Sequence, residues 1–215
     1  MPPPDATALI DGAAALDVAL TEVKAAQLLA YLVLLSKWNR VYNLTAVRKP
    51  AQMLVQHLLD SLAVIAPLRR WLGQKPARVL DVGSGAGLPG VVIAALMPQL
   101  EVTCVDAVGK KASFIRQVAA ELGLKNLHAV HARVETLPDE PFDLIVSRAF
   151  ASLAAFVTLT WRQRGRGSVW VAMKATTPAD EVAALPKEID MFHVEQLTVP
   201  GLDAERCLIW MRERA

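Results

Sequence analysis

Hydrophobic and polar positions along this chain fall into two regimes. Up to about residue 74 the apolar residues recur at helical spacing, and beyond it short apolar runs of strand length alternate with helical stretches. Residues 1–5 are a proline-rich lead. Ala6 to Leu20 is alanine-rich with Gly12 inside it and predicts a short helix or two. Thr21 is a side-chain cap for a longer helix from about Glu22 to Asn39. Leu28, Leu29, Tyr31, Leu32, Leu34, Leu35 and Trp38 give that helix a broad apolar face. From Asn39 to Pro50 the chain is polar, basic and aromatic at once and does not read as helix. Pro50 opens another helix, with Met53, Leu54, Leu58, Leu59 and Leu62 inward and with His57, Asp60 and Ser61 sharing one face. A lone helical histidine without further ligands nearby gives no metal site. Trp71 to Pro76 is a turn. The expected division is therefore a helical extension over 1–74 and a core domain over 75–215.

In the core the pattern is strand and helix in alternation. Strands are expected at Arg78–Val82, Glu101–Asp106, Leu127–His131, the run opening at Phe142, Ser168–Lys174, about Met191 to the turn at Thr198, and Arg206–Met211. Helices are expected after Leu88, over Lys110–Leu122 with Gly123 as the stop, and over Ala151–Arg162. Gln163 to Gly167 reads as a basic turn. Such alternation is the signature of an α/β fold with a mostly parallel sheet flanked by helices.

The stretch Arg78–Gly90 carries the most chemistry. Val79, Leu80 and Val82 form a buried strand ending near Asp81, and Gly83, Gly85 and Gly87 let the backbone turn sharply and pass close to a ligand. Pro89 suits the start of the following helix. Gly85, Gly87 and Gly90 also satisfy the dinucleotide spacing G-x-G-x-x-G, so the glycines alone do not choose the ligand. Asp81 does. A dinucleotide site receives a pyrophosphate at the helix N-terminus, beside which a carboxylate sits badly. S-adenosylmethionine (SAM) has no phosphate, and an acid there organises the loop or faces the ligand's cationic amino-acid end. The reading is a SAM cofactor, with Asp81, Gly83 and Gly85 around it.

In parallel sheets ligands sit at the carboxyl ends of the strands. Asp106 ends the second strand, about twenty residues past the glycine turn, where a carboxylate binds ribose hydroxyls or caps the next helix; ligand binding is the favoured role. Arg133, Val134 and Glu135 follow the third strand, near the expected adenine edge. Ser147, Arg148 and Phe150 follow the fourth. Arg148 suits a phosphate or carboxylate, and Phe150 either stacks a base or fills the core. Lys174 ends the fifth strand as a second cation at the same rim. Arg40, Arg48 and Lys49 are either phosphate contacts or a solvated loop.

Composition narrows the class. A chain of 215 residues with 53% hydrophobic residues buries a substantial core. The net charge of +2 neither requires nor opposes a nucleic-acid partner. Cys104 and Cys207 lack metal or disulfide spacing and sit in apolar runs, which suits buried free thiols in a reducing cytoplasm. The start of the chain lacks a signal-peptide pattern, and no stretch reaches about 18 uninterrupted apolar residues, so neither secretion nor a membrane is expected.

Four stretches together carry a family resemblance: Trp38 to Thr45, His57 to Leu62, Asp81 to Gly90, and Ser147-Arg148-Ala149-Phe150. In this order they resemble the ribosomal RNA small-subunit methyltransferase G family, also called glucose-inhibited division protein B. The resemblance implies a class I SAM-dependent methyltransferase (Rossmann-like) fold with a seven-stranded sheet and an N-terminal helical extension. It implies methyl transfer to N7 of a guanine in the 530 loop of 16S ribosomal RNA, with the small ribosomal subunit as partner and no metal. Another RNA or a small molecule is the alternative acceptor. By motif, Gly83, Leu88, Val134, Glu135 and Arg148 would contact SAM. From charge and position rather than from the resemblance, Arg148 and Lys174 are the candidate catalytic cations, and Arg40, Arg48, Lys49 and Phe150 the candidate RNA contacts. Ala175 stands where a glycine is expected after Lys174. Guanine N7 carries an in-plane lone pair, so the reaction needs alignment rather than a base.

Overall fold

The structure is a computed structural model describing residues 6–148, 150, 152–177 and 179–214. The proline-rich lead, Ala149 and the expected helix start at Ala151 lie outside the described residues. Seven strands form one sheet in the order β3-β2-β1-β4-β5-β7-β6. They are β1 Ala77–Val82, β2 Leu100–Asp106, β3 Leu127–His131, β4 Phe142–Ser147, β5 Arg164–Lys174, β6 Ile189–Leu197 and β7 Arg206–Glu213. β1 pairs in parallel with β2 and β4, β2 with β3, and β4 with β5, whereas β7 runs antiparallel to both β5 and β6. The strand order reverses between β1 and β4. There two crossovers leave in opposite directions and open a crevice at the carboxyl ends.

Side chains alternate across the sheet, so each strand feeds two cores. Val79, Val102, Val146, Val171 and Trp210 join one cluster with residues of the N-terminal helices, from Leu9 to Leu68. Leu80, Val105, Ile145, Trp170 and Ile209 join the other, under Phe156 and Val157. The N-terminal helices thus cover one face of the sheet and share its core.

Those helices are α1 Ala6–Ala14, α2 Glu22–Tyr42, α3 Pro50–Met53, α4 Asp60–Leu62 and α5 Ile65–Leu72. Thr21 caps α2, its hydroxyl accepting from the Lys24 amide at 3.3 Å. α2 runs three residues past the expected end. Asn43 stops it in the left-handed region at φ 49°, and Asn39 turns inward to accept the Thr45 amide at 2.9 Å. Between α3 and α4 the helix widens to a π-turn over Leu54–Leu59, a device that pattern reading does not see. The run Pro50–Leu72 is long and apolar enough to span a bilayer by length and composition, yet 72% of its most apolar window is buried within the protein. It is a core helix of this fold.

After β1 come α6 Gly90–Leu96 and α7 Gly109–Glu121, and after β4 come α8 Leu153–Leu159 and the short α9 Ala179–Ala183. β5 begins at Arg164, inside the stretch expected to be a turn. Arg164 aligns with Phe142, and a bulge with Gly167 at φ 80° absorbs the extra residues before regular pairing resumes.

Candidate active site

The glycine turn follows β1. Gly83, Gly85 and Gly87 hold φ of 65°, 59° and 88°, conformations that a side chain would strain. A methyl group added at Gly83 would meet nothing within 4 Å, so the backbone there faces open space. That space is a cavity of about 370 Å³ between the ends of β1, β2, β3 and β4, walled by Gly83, Asp106, Val134, Glu135 and Phe150 among others. Its size is that of a nucleoside-sized ligand site.

Asp81 lies beneath this wall rather than in it. It shares the sheet face of Val79, is fully buried, and its Oδ2 accepts the Gly90 amide at 2.8 Å. The Cys104 thiol lies 3.8 Å from the same oxygen, and Oδ1 has no partner among the described residues. Burial pushes the Asp81 carboxyl up to about 7, against the opposing pull of the Gly90 hydrogen bond and the Arg148 charge. Of the two roles open to it, the geometry gives loop organisation.

Asp106 binds loop amides and does not cap α7, whose N-cap position is Val108. Its Oδ1 accepts the Val108 amide at 2.8 Å, and its Oδ2 accepts the Gly85 amide at 2.9 Å with Lys111 at 3.6 Å. It therefore locks the glycine turn while standing in the cavity wall, with lone pairs left for ribose hydroxyls. Val134 is buried and Glu135 exposed, paired to Arg133 at 3.7 Å. Phe150 packs on Phe156 with centroids 5.4 Å apart and borders the cavity. Leu88 is placed differently from expectation: it is 2% exposed and belongs to the core under the turn, not to the cavity wall. Ser147 is likewise turned inward, its hydroxyl donating to the Val82 carbonyl at 2.9 Å and so tying β4 to β1.

Arg148 crosses to the helical extension. Its Nη1 donates to the Gln56 carbonyl at 3.1 Å, to Asp60 Oδ2 at 3.2 Å and to Ser61 Oγ at 3.3 Å. A second cavity, about 920 Å³, opens beside it, bordered by His57, Asp60, Arg148, Lys174 and Arg206. The π-turn and the start of α4 put His57 and Asp60 on this rim. His57 Nε2 sits 3.0 Å from the Thr45 hydroxyl, and its Nδ1 is buried without a partner among the described residues. Burial, and then the Arg148 charge, lowers its pKa to about 4, so it is neutral at physiological pH.

Lys174 also borders the larger cavity, but it is not a free cation, which corrects the expectation of a catalytic charge. Its Nζ pairs with both carboxylate oxygens of Glu181, at 3.0 and 2.9 Å, and reaches the Phe150 carbonyl at 3.4 Å. Glu181 in turn accepts the Leu153 amide at 2.7 Å. The two side chains clasp the loop after β4. Arg40, Arg48 and Lys49 are exposed, and Arg48 donates to Asn43 Oδ1 at 3.2 Å.

Sequence reasoning missed three participants. Tyr31, fully buried on α2, donates its hydroxyl to the Ala86 carbonyl at 2.9 Å and braces the glycine turn from the extension. Arg206 donates Nε to Asp60 Oδ1 at 2.8 Å, making Asp60 a carboxylate shared by two arginines. Glu181 is the third. Only the shared helix face of His57, Asp60 and Ser61 signalled any of this; the rest depends on contacts between distant segments.

Comparison with known proteins follows this geometry. Residues 24–209 match the GidB family, described as rRNA small subunit methyltransferase G. Ribosomal RNA small subunit methyltransferase G of Methylibium petroleiphilum is 61% identical over 209 residues, covering 97% of this chain and 95% of its own. The protein of the same name from Leptothrix cholodnii is 61% identical over 212 residues, covering 99% and 97%. Among solved structures, the 1,6-didemethyltoxoflavin-N1-methyltransferase of Burkholderia thailandensis, with S-adenosylhomocysteine bound, superposes with a TM-score of 0.60 at 16% identity over 86% of this chain and 90% of that one. A SAM-dependent methyltransferase from Aquifex aeolicus gives a TM-score of 0.57 at 16% identity over 82% and 97%. These two likenesses concern the fold alone. On its glycine turn, its sheet order and its match along nearly the whole length, the chain belongs to the rRNA small subunit methyltransferase G family.

Proposed function

We propose that this protein transfers a methyl group from SAM to N7 of a guanine in the 530 loop of 16S ribosomal RNA, acting in the cytoplasm on the small ribosomal subunit or its RNA. The observation that carries the reading is the cavity beside Gly83, with Asp106 in its wall, in a chain of this methyltransferase family. Asp81 holds the Gly90 amide beneath that cavity and so organises the turn that borders it. Bound SAM supplies an electrophilic methyl group.

The chain's own residues do the placing. Gly83 and Gly85 admit the ligand to the backbone, Asp106 and Glu135 offer carboxylates to its hydroxyls, and Val134 and Phe150 offer apolar surface to its base. Arg148, two residues from Phe150, stands on the other side of the loop and faces the larger cavity. The extension (1–74) and the methyltransferase unit (75–215) wall that cavity together, and we assign it to the RNA. Arg40, Arg48 and Lys49 form an exposed basic segment that suits flanking phosphates. His57 is held neutral and is a weak base, which is compatible with a nucleophile that has a free lone pair. Alignment is then the main catalytic contribution.

The test is mass mapping of 16S rRNA from cells with and without the protein, together with incubation of purified protein, SAM and unmethylated small subunits. N7-methylguanosine in the 530 loop is expected only where the protein is present. Methylation at another nucleotide, or none, overturns the assignment.

A further inference from the structure

We propose that Arg206, tethered by Asp60, is an RNA phosphodiester contact in the larger cavity, and that Asp60 is the positioning residue that fixes Arg206 and Arg148 as a pair. The proposal rests on reading this cavity as the RNA side of the site. Asp60 is 3% exposed, and each of its oxygens is spent on one guanidinium: Oδ2 on Arg148 Nη1 at 3.2 Å and Oδ1 on Arg206 Nε at 2.8 Å. Two guanidiniums on one buried carboxylate leave an uncompensated positive charge in a partly desolvated place. Among the described residues nothing else at the rim removes it. Lys174 is already neutralised by Glu181, and His57 is uncharged. Asp203, the cavity's other carboxylate, is exposed and screened by solvent.

The donors that remain point to the ligand's chemistry. Arg148 spends only Nη1, on Gln56, Asp60 and Ser61. Arg206 spends Nε on Asp60 and Nη1 on the Glu205 carbonyl. Among the described residues Nη2 of both arginines, and Nε of Arg148, keep N–H groups without a protein acceptor. A planar guanidinium held still by one carboxylate has already lost its rotamer freedom, and a second anion then binds at little further entropic cost. A tetrahedral phosphate suits such a pair because each guanidinium can give it charge-assisted hydrogen bonds. The two arginines reach Asp60 from different strands, Arg148 from the loop after β4 and Arg206 from the start of β7. The clamp therefore exists only when the extension is docked on the sheet, which couples RNA binding to assembly of the SAM-side loop.

The test measures binding of a 16S rRNA fragment containing the 530 loop to the full-length protein by fluorescence anisotropy at several salt concentrations, with SAM affinity measured by calorimetry. Arg206→Ala is expected to weaken RNA binding about tenfold, to lower the slope of log affinity against log salt by about 0.7 to 1, and to leave SAM affinity within twofold. Arg206→Lys is expected to keep the slope and recover part of the affinity. Asp60→Asn is expected to keep the slope, because both cations remain, while lowering kcat. Wild-type slope and affinity in Arg206→Ala overturn the proposal. So does competition by millimolar inorganic phosphate that disappears in Arg206→Ala while the RNA slope stays unchanged, which assigns the site to a free anion. If Arg206→Ala fails to fold, the Arg206→Lys slope and affinity decide. Absence of methylation by the wild-type protein, by contrast, counts against the proposed function and not against the clamp.

Discussion

Gly90 offers the sharpest test of how the glycine turn is built. It is the first residue of α6, and a methyl group placed on it would lie 2.4 Å from Cys104 Sγ, 2.8 Å from Asp81 Oδ2 and 3.3 Å from Asp81 Cβ. Neither neighbour can yield easily, since Asp81 and Cys104 are both fully buried. Overpacking of a well-filled core costs about 1–3 kcal/mol. The new methyl also pushes the carboxylate off the Gly90 amide, a buried 2.8 Å hydrogen bond whose loss costs about 1–3 kcal/mol more. Gly90→Ala is therefore expected to destabilise the fold by about 2–6 kcal/mol, a fall in Tm of very roughly 5–20 °C for a chain of this length. Because Asp81 then no longer holds the start of α6 beneath the SAM cavity, SAM affinity falls with it. Urea unfolding, thermal melting and SAM calorimetry read these effects. The mechanism makes a second demand. Cys104→Ala removes the closest clashing atom, so the double variant recovers about half of the lost stability instead of adding a second loss. A Gly90→Ala protein within about 0.5 kcal/mol of wild type, the range of an ordinary surface change, would refute the close-packing account. Strict additivity of the two substitutions would refute the role of the sulfur.

Three further outcomes follow from the same geometry. Tyr31→Phe removes the hydroxyl that holds the Ala86 carbonyl at 2.9 Å and leaves that carbonyl buried, costing about 1–3 kcal/mol; melting and SAM titration should both register it, and unchanged SAM affinity would separate the extension from the turn. Glu181→Gln keeps an acceptor for the Leu153 amide but discharges the Lys174 clasp, so KM for SAM is expected to rise several-fold with Glu181→Ala worse; equal, wild-type kinetics in both would dismiss the clasp. The pH dependence has opposing parts. Asp81, raised from 3.8 to about 7, stays protonated in the fold while the unfolded chain ionises, so its contribution is full below about pH 4 and is lost as pH rises to about 7. His57, lowered from 6.5 to about 4, contributes stability above about pH 6.5 that is lost as pH falls toward 4. The two nearly cancel between pH 4 and 6.5, so Asp81→Asn should make stability fall with acid, and His57→Gln should make it fall with alkali, each by up to about 1.4 kcal/mol per pH unit. Parallel profiles in urea melts of both variants would contradict the assignment.

The order of strands and helices was legible because burial imposes a period, and the period survives in the sequence. The π-turn over Leu54–Leu59 was not, since it changes the helix by one residue without altering its apolar content. The early start of β5 was hidden for a related reason: Arg164 to Gly167 has turn composition, and only the edge of β4 recruits it as strand. In the site, the glycines were readable and the acids half-readable. Asp81 and Asp106 stood out by position, but whether each faced ligand or loop depended on the Gly90 and Gly85 amides that the folded turn presents.

The two cations at the strand ends show where such reading stops, and also that it stopped earlier than it had to. Arg148 and Lys174 were taken as a pair aimed at one substrate. Yet alternation along the strands already separates them. Counting by twos from Leu144 and Val146, which pack toward the helical extension, puts Arg148 on that face. Counting from Trp170 and Ala172, which pack the opposite way, puts Lys174 on the other. Their charges are spent accordingly, Arg148 on Asp60 of the extension and Lys174 on Glu181 of α9. What parity does not supply is the partner. Asp60 lies 88 residues before Arg148 and 146 before Arg206, so a local pattern shows an acid on a helix face and nothing of the arginines it gathers. The extension is consequently more than a cover for the sheet. Its buried aspartate decides where Arg148 and Arg206 can point, and a chain lacking that aspartate would keep the glycine turn but lose the arrangement of the two guanidiniums beside the larger cavity.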